Sequence, residues 1–167
     1  AANRTGRADL PEGVEVVGAD VTGGANGVGR ALCLQLAEAE ATCAIIDLDE
    51  KAARVTARDV EAAGGRAIVV AGDITTKESA HALFNKAAAD LGRINGLVNS
   101  AGIYPRLPIL EIDDEAWNAN FAINLRGLYH MTVAAVLHMK RQGGGRIVNI
   151  SSIAGLKPHP GTCTTPA

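Results

Sequence analysis

The segment Val21-Thr22-Gly23-Gly24-Ala25-Asn26-Gly27-Val28-Gly29-Arg30 holds the residues whose spacing points most directly to chemistry. Glycines so spaced let a backbone turn tightly and come close to a phosphate, and the helix that follows offers free N–H groups and the positive end of its dipole. The pattern suits a dinucleotide pyrophosphate. Asp47 stands 18 residues beyond Gly29, at the end of the next apolar run. A carboxylate there accepts hydrogen bonds from an adenosine ribose and repels a 2′-phosphate, so NAD is favoured over NADP. Taken alone, Asp47 also reads as a solvated strand-end residue; the glycine turn tips the balance. Arg30 reads as a surface helix residue, not a phosphate reader.

A competing register, Gly18-Ala19-Asp20-Val21-Thr22-Gly23, would place Asp20 at the middle glycine of a G-x-G-x-x-G. That position must admit the pyrophosphate closely, and Asp brings bulk and negative charge to it. The register beginning at Thr22 is therefore preferred. Asp20 then falls inside the first strand, where an unpaired carboxylate costs at least a few kcal/mol or shifts its pKa. Either that strand is locally distorted or this copy is degraded.

Two further polar residues stand out. Asn124 lies on the stripe Trp117, Phe121, Leu128, Met131 at helical spacing. A buried amide there needs partners, and a structural hydrogen bond holding the helix to the sheet would supply them. Ser152 follows the last apolar run, at the end of a strand where open α/β sheets bind ligands, or else caps a turn. His81, His130 and His138 read as solvated or core residues, and Tyr104 could edge a pocket but has no lysine partner at useful spacing. Asp113-Asp114-Glu115 complements a helix dipole.

The elements that must position these groups alternate. Strands are predicted at 14–21, 41–47, 66–72, 94–99 and 145–150, apolar enough to be buried on both faces. Helices are predicted at 27–40, 50–63, 76–91 and 114–141, the third opened by a Thr75-x-x-Glu78 capping box and with Gly64-Gly65 and Gly92 at C-caps. Alternating β and α units imply right-handed crossovers and an α/β, three-layer, Rossmann-type doubly wound parallel sheet. Residues 1–13 read as a tail and 14–167 as one domain.

Composition narrows the partners. A net charge of −2 with scattered basic residues argues against a nucleic-acid footprint. No apolar run reaches the ~20 residues that span a bilayer, and the N-terminus has no secretory h-region. Cys33, Cys43 and Cys163 show no metal-ligand spacing and no even pairing, so no metal is expected and the setting reads as reduced and cytoplasmic.

Thr22-Gly23-x-x-x-Gly27-x-Gly29, Asp73-Ile74, Asn99-Ser100-Ala101-Gly102, Phe121-Ala122-Ile123-Asn124-Leu125 and Ile147-Val148-Asn149-Ile150-Ser151-Ser152 occur in one order over residues 14–155. Together they resemble the short-chain dehydrogenase/reductase family. The resemblance implies five strands in the order 3-2-1-4-5 and hydride transfer between NAD(H) and a small alcohol or ketone. It implies cofactor contacts from Gly23, Ala25, Asn26, Gly27, Val28 and Gly29, from Asp47 and Leu48, and from Asp73 and Ile74 at the adenine. Asn99, Ala101 and Gly102 would line the cofactor and steady the sheet. Ser152 would hydrogen-bond the reacting substrate oxygen, and Asn124 would serve a water relay. Ser100 stands where the family more often has a second Asn.

The chain also departs from the family. The tyrosine of the family's Tyr-x-x-x-Lys would fall thirteen residues after Ser152, where this chain has Thr165, and four residues beyond Tyr104 and Tyr129 stand Pro108 and Val133. That Tyr is the family's general acid/base, its Lys one helical turn away. The resemblance therefore implies a C-terminally truncated copy, with Gly161 to Ala167 as a broken approach to the Tyr helix. Such a copy would be inactive or severely impaired, with an exposed fifth strand and an uncovered Trp117–Phe121 stripe. Helix 114–141 could then mediate a homo-oligomer. A non-catalytic NAD-binding pseudoenzyme and a non-functional truncated product are the alternatives.

Overall fold

The computed structural model describes residues 17–153. The expected tail, Cys163, Thr165 and the segment 161–167 lie outside the described residues. Five parallel strands form one sheet: β1 (Gly18–Thr22), β2 (Thr42–Asp47), β3 (Arg66–Ala71), β4 (Gly96–Asn99) and β5 (Arg146–Asn149). Their order is β3-β2-β1-β4-β5, as expected. Helices α1 (Gly27–Glu38), α2 (Glu50–Ala62), α3 (Lys77–Leu91), α4 (Asp114–Phe121) and α5 (Leu128–Arg141) supply the crossovers.

Strand alternation sends successive side chains to opposite faces, and so divides the core in two. Ala44, Ile46, Val70 and Leu97 meet Phe84 and Ala87 of α3 and Met131 and Ala135 of α5. On the other face Val21, Cys43 and Ile45 meet Cys33 and Ala37 of α1 and Ala53 and Val60 of α2. The helix ends follow local chemistry. Asp49 and Asp113 accept from the backbone N–H of Ala52 and Ala116, capping α2 and α4. Gly64 and Gly92 adopt φ of +87° and +80° just past α2 and α3, the left-handed region where a side chain would be strained.

Several expectations are corrected. Thr76, not Thr75, caps α3 by accepting from Ser79 N. Thr75 instead turns back to Asp73, to which both its N–H and its hydroxyl donate at 2.8 Å. The predicted helix 114–141 is divided by a π-helical turn, Ala122–Gly127. That turn shifts the buried face, so Asn120, Gly127 and Met131 point inward while Trp117 is 51% exposed. The smooth 3.6-residue stripe through Trp117 and Leu128 does not form, because a π-turn holds more residues per turn than an α-helix. Among the described residues β3 and β5 are the edges of the sheet, so neither is buried on both faces; Val148 of β5 is half-exposed, as the truncated reading implies.

Strand β1 is regular. Asp20 pairs in parallel register with Ala44 on one side and Leu97 on the other, so no distortion accommodates it. Its side chain is fully buried, and neither carboxylate oxygen has a hydrogen-bond partner among the described residues. Burial pushes its carboxyl well above the usual carboxylate range.

Candidate functional site

The glycine turn joins β1 to α1 at the C-terminal edge of the sheet, between strands that lead off in opposite directions. Such switch points are where open α/β sheets bind ligands. Gly18 and Asp20 lie well within β1, which ends at Thr22, so the turn follows Thr22, in the register the sequence favoured. Gly23 takes φ +66°, and a Cβ there would lie 2.7 Å from Ala101 Cα. A Cβ on Gly29 would collide with the carbonyl oxygen of Gly23. Gly27 takes φ +54° with open space around its Cβ position, so its glycine is required by backbone conformation and leaves room for a ligand. Asn26 is the N-cap of α1 but makes no side-chain cap, unlike Asp49, Thr76 and Asp113. The first N–H groups of α1 have no intrahelical acceptor.

Thr22 ties this turn to the loop after β4. Its buried hydroxyl oxygen accepts from Ser100 N and Ala101 N, both at 3.1 Å. Asp47, ending β2, accepts from Ala25 N and Asp49 N, each at 3.0 Å. These bonds fix the carboxylate, and its four lone-pair sites leave capacity for a ligand hydroxyl. Arg30 pairs with Asp59 of α2 at 2.8 Å, consistent with its reading as a helix-surface residue.

A cleft of ≈ 190 Å³ opens beside the turn. It brings together Gly23, Asp47, Leu48, Asp73, Ile74, Ala101 and Gly102, and adds Ile46, Gly72, Ile103 and Ile123, which the sequence did not single out. Ile46 and Gly72 had no signal beyond adjacency to Asp47 and Asp73. Ile123 lies in the π-turn, whose register helical periodicity could not anticipate. Ala25, Asn26, Gly27, Val28, Gly29 and Asn99 do not line this cleft; the first five form the turn and helix start beside it.

Asn99 serves the sheet. It is buried, and its amide donates to Thr132 Oγ1 on α5 at 3.0 Å and to Asn149 Oδ1 on β5 at 2.9 Å. Asn124 does what a structural amide would: Oδ1 accepts from Ile103 N at 2.8 Å, and Nδ2 donates to Ile103 O at 2.9 Å. This two-point clamp holds the π-turn to the loop after β4. Ser152 is exposed beyond the C-terminal end of β5. Neither Asn124, Ser152 nor Tyr104 lines the cleft. His138 packs edge-on against Phe84, with ring centroids 5.5 Å apart.

Cys33 and Cys43 are buried free thiols in contact across α1 and β2. Cys33 donates its S–H to the Cys43 sulfur, and that bond, together with burial, pushes the Cys33 thiol up. Among the described residues no three His, Cys, Asp or Glu side chains cluster to hold a metal ion, and no helix is long and apolar enough to cross a membrane.

A family model described as short chain dehydrogenase matches residues 18–165. An uncharacterized oxidoreductase of Thermotoga maritima is 36% identical over 143 residues, covering 86% of this chain and 56% of that protein. The cis-4-hydroxycyclohexanecarboxylate dehydrogenase of Sinomonas cyclohexanicum is 43% identical over 136 residues, covering 81% and 54%. A crystal structure from Sinorhizobium meliloti, described provisionally as a short-chain alcohol dehydrogenase, superposes with a TM-score of 0.85 at 30% identity, covering 90% of this chain and 60% of that one. The chain thus spans a little over half the length of the curated relatives it matches.

Proposed function

We propose, for a chain that belongs to the short-chain dehydrogenase family, that the cleft and the adjoining glycine turn seat NAD for hydride transfer to or from a small alcohol or ketone in the whole protein. One observation carries the reading. The N-terminus of α1 is left without a side-chain cap beside a cleft lined by Gly23, Asp47, Ile74 and Ala101. The residues fit the cofactor: Gly27 leaves open space where the pyrophosphate would approach, and the free N–H groups of α1 complement its charge. Bound NAD would supply the hydride acceptor at its nicotinamide.

The chain's own residues then have assigned tasks. Gly23, Ala25, Asn26, Gly27, Val28 and Gly29 form the pyrophosphate seat. Asp47 takes the ribose hydroxyls with its remaining lone pairs, and its negative charge disfavours a 2′-phosphate, so NAD is preferred to NADP. Leu48, Asp73 and Ile74 flank the adenine. Asn99, Ala101 and Gly102 support the nicotinamide half, with Asn99 acting through the sheet. Ser152 donates to the reacting oxygen of the substrate, and Asn124 holds the loop from Gly102 to Ile103 while serving the proton relay. Calorimetric titration with NAD and NADP tests the reading: saturable NAD binding, tighter than NADP, is expected, and no saturable signal overturns it.

A second reading rests on the absence of any Tyr-x-x-x-Lys in these 167 residues. Taken by themselves they would hold the dinucleotide without turning over an alcohol. Reduction of NAD by the purified 167-residue chain with any secondary alcohol would sink that reading.

A further inference from the structure

Helix α2 touches the glycine turn through one side chain that the reading above does not use. The inward face of α2 is Ala53, Thr56, Ala57 and Val60, and Thr56 is its one polar member. A helical threonine commonly returns its hydroxyl to the carbonyl one turn back. Thr56 instead donates to the carbonyl oxygen of Ala25, 31 residues away, at 2.9 Å and out of contact with water.

The consequence follows from peptide geometry. Ala25 is itself buried, and its N–H is already held by Asp47. With its carbonyl held by Thr56, the two peptide units flanking Ala25 are both fixed. No peptide among the described residues is cis. A planar trans unit sets the N–H of Asn26 antiparallel to the Ala25 carbonyl. That N–H is therefore turned away from α2, at the exposed start of α1. The support is also closed on itself. Asp47 accepts from Asp49 N, Asp49 caps α2, and α2 returns to the turn through Thr56.

We infer that Thr56 is a positioning residue for dinucleotide binding: its hydroxyl sets the Ala25–Asn26 peptide so that the N–H of Asn26 faces the pyrophosphate. The inference rests on the reading of the turn as a dinucleotide seat. It predicts an effect confined to ligands that carry the pyrophosphate, because the adenosine end is gripped by Asp47 and Ile74, which Thr56 does not touch.

The test compares ADP-ribose and adenosine as titrants of the purified protein and of two variants, with thermal midpoints measured in parallel. Thr56→Val keeps the shape of the side chain and removes the donor. Its ADP-ribose affinity should fall by about tenfold, the order expected when one buried acceptor loses its partner, while adenosine affinity stays within about twofold. Thr56→Ser keeps the hydroxyl and should bind ADP-ribose like the parent. Equal weakening for both ligands would mean a purely structural role and overturn the inference, as would a Thr56→Val variant that binds ADP-ribose unchanged. If Thr56→Val does not fold, Thr56→Ser decides: parent-like ADP-ribose binding supports the inference, and a loss overturns it. A parent protein that binds neither titrant overturns the dinucleotide seat itself, an outcome distinct from these.

Discussion

The carboxylate of Asp47, at the end of β2, accepts a hydrogen bond from the backbone N–H of Ala25 in the glycine turn, at 3.0 Å. One side chain thus braces the turn and stands at the cleft where an adenosine ribose would lie. Asp47→Ala removes both functions. NAD affinity should fall by about tenfold or more, and the ratio of NAD to NADP affinity should move toward NADP. Titration of the variant with both cofactors checks it; an unchanged ratio would remove Asp47 as the specificity residue.

Asp20 makes stability depend on pH. Burial raises its folded-state pKa above the unfolded value, so the folded chain holds an extra proton between the two. The contribution is intact below the unfolded pKa and is lost as pH rises through the folded one. Thermal midpoints should therefore decline from mildly acidic toward alkaline pH. Asp20→Val should flatten that decline and add about 1–3 kcal/mol at neutral pH, since an unpartnered buried polar group is removed. A variant that is no more stable than the parent contradicts the assignment.

Thr22 satisfies two backbone donors at once, from Ser100 and Ala101. Thr22→Val leaves both without that acceptor and should lower stability by about 1–3 kcal/mol, whereas Thr22→Ser should stay near the parent. Urea unfolding of the pair, with no difference between them, would show that the hydroxyl is dispensable.

Gly29 has no room for a methyl group, because a Cβ would collide with Gly23 O. Gly29→Ala should open the packing of α1 on the turn, costing about 1–3 kcal/mol and weakening NAD binding together with stability. Gly27→Ala, at φ +54° but in open space, should weaken NAD binding with a smaller loss of stability. Parallel calorimetry and thermal melts separate the two; the reverse ranking in stability would argue against this geometry.

Trp117 and Phe121 stack with ring centroids 4.7 Å apart on the outer face of α4, and Trp117 is exposed. If a second copy covers this face, as helix 114–141 was expected to allow, Trp117→Glu should shift sedimentation toward monomer. Identical sedimentation of variant and parent would remove this face as the contact.

The strand order followed from the family resemblance. The alternation of strands and helices, the placement of Asp47 at the end of β2 and of Asp73 just past β3, and the glycine turn were legible in the residues themselves. These last depend on local chemistry: buried strands read as apolar runs, and glycines mark positions that a Cβ would strain or obstruct. The π-turn at Ala122–Gly127 was not legible. It is tied to partners distant in the chain, with Ile103 clamped by Asn124 and the side chain of Ile74 lying where a Cβ on Gly127 would sit. The capping residue of α3 was misplaced by one position for a similar reason, since Asp73 claims Thr75 and leaves Thr76 as the cap.

Asp20 divides the two kinds of knowledge most clearly. Its identity and its place in a strand are sequence facts, and they alone establish that a carboxylate enters an apolar run. Whether the strand would bend, pair the carboxyl or bury it depended on neighbours from β2 and β4; their registers with β1 are regular, and the side chain is buried with no hydrogen-bond partner among the described residues. The same holds for Thr56. Sequence shows a threonine in a helix, but its hydroxyl reaches the glycine turn only because the fold stacks α2 against α1. Side-chain period and glycine spacing act within a few residues and can be read along the chain. Hydrogen bonds across tens of residues exist only once the layers have packed.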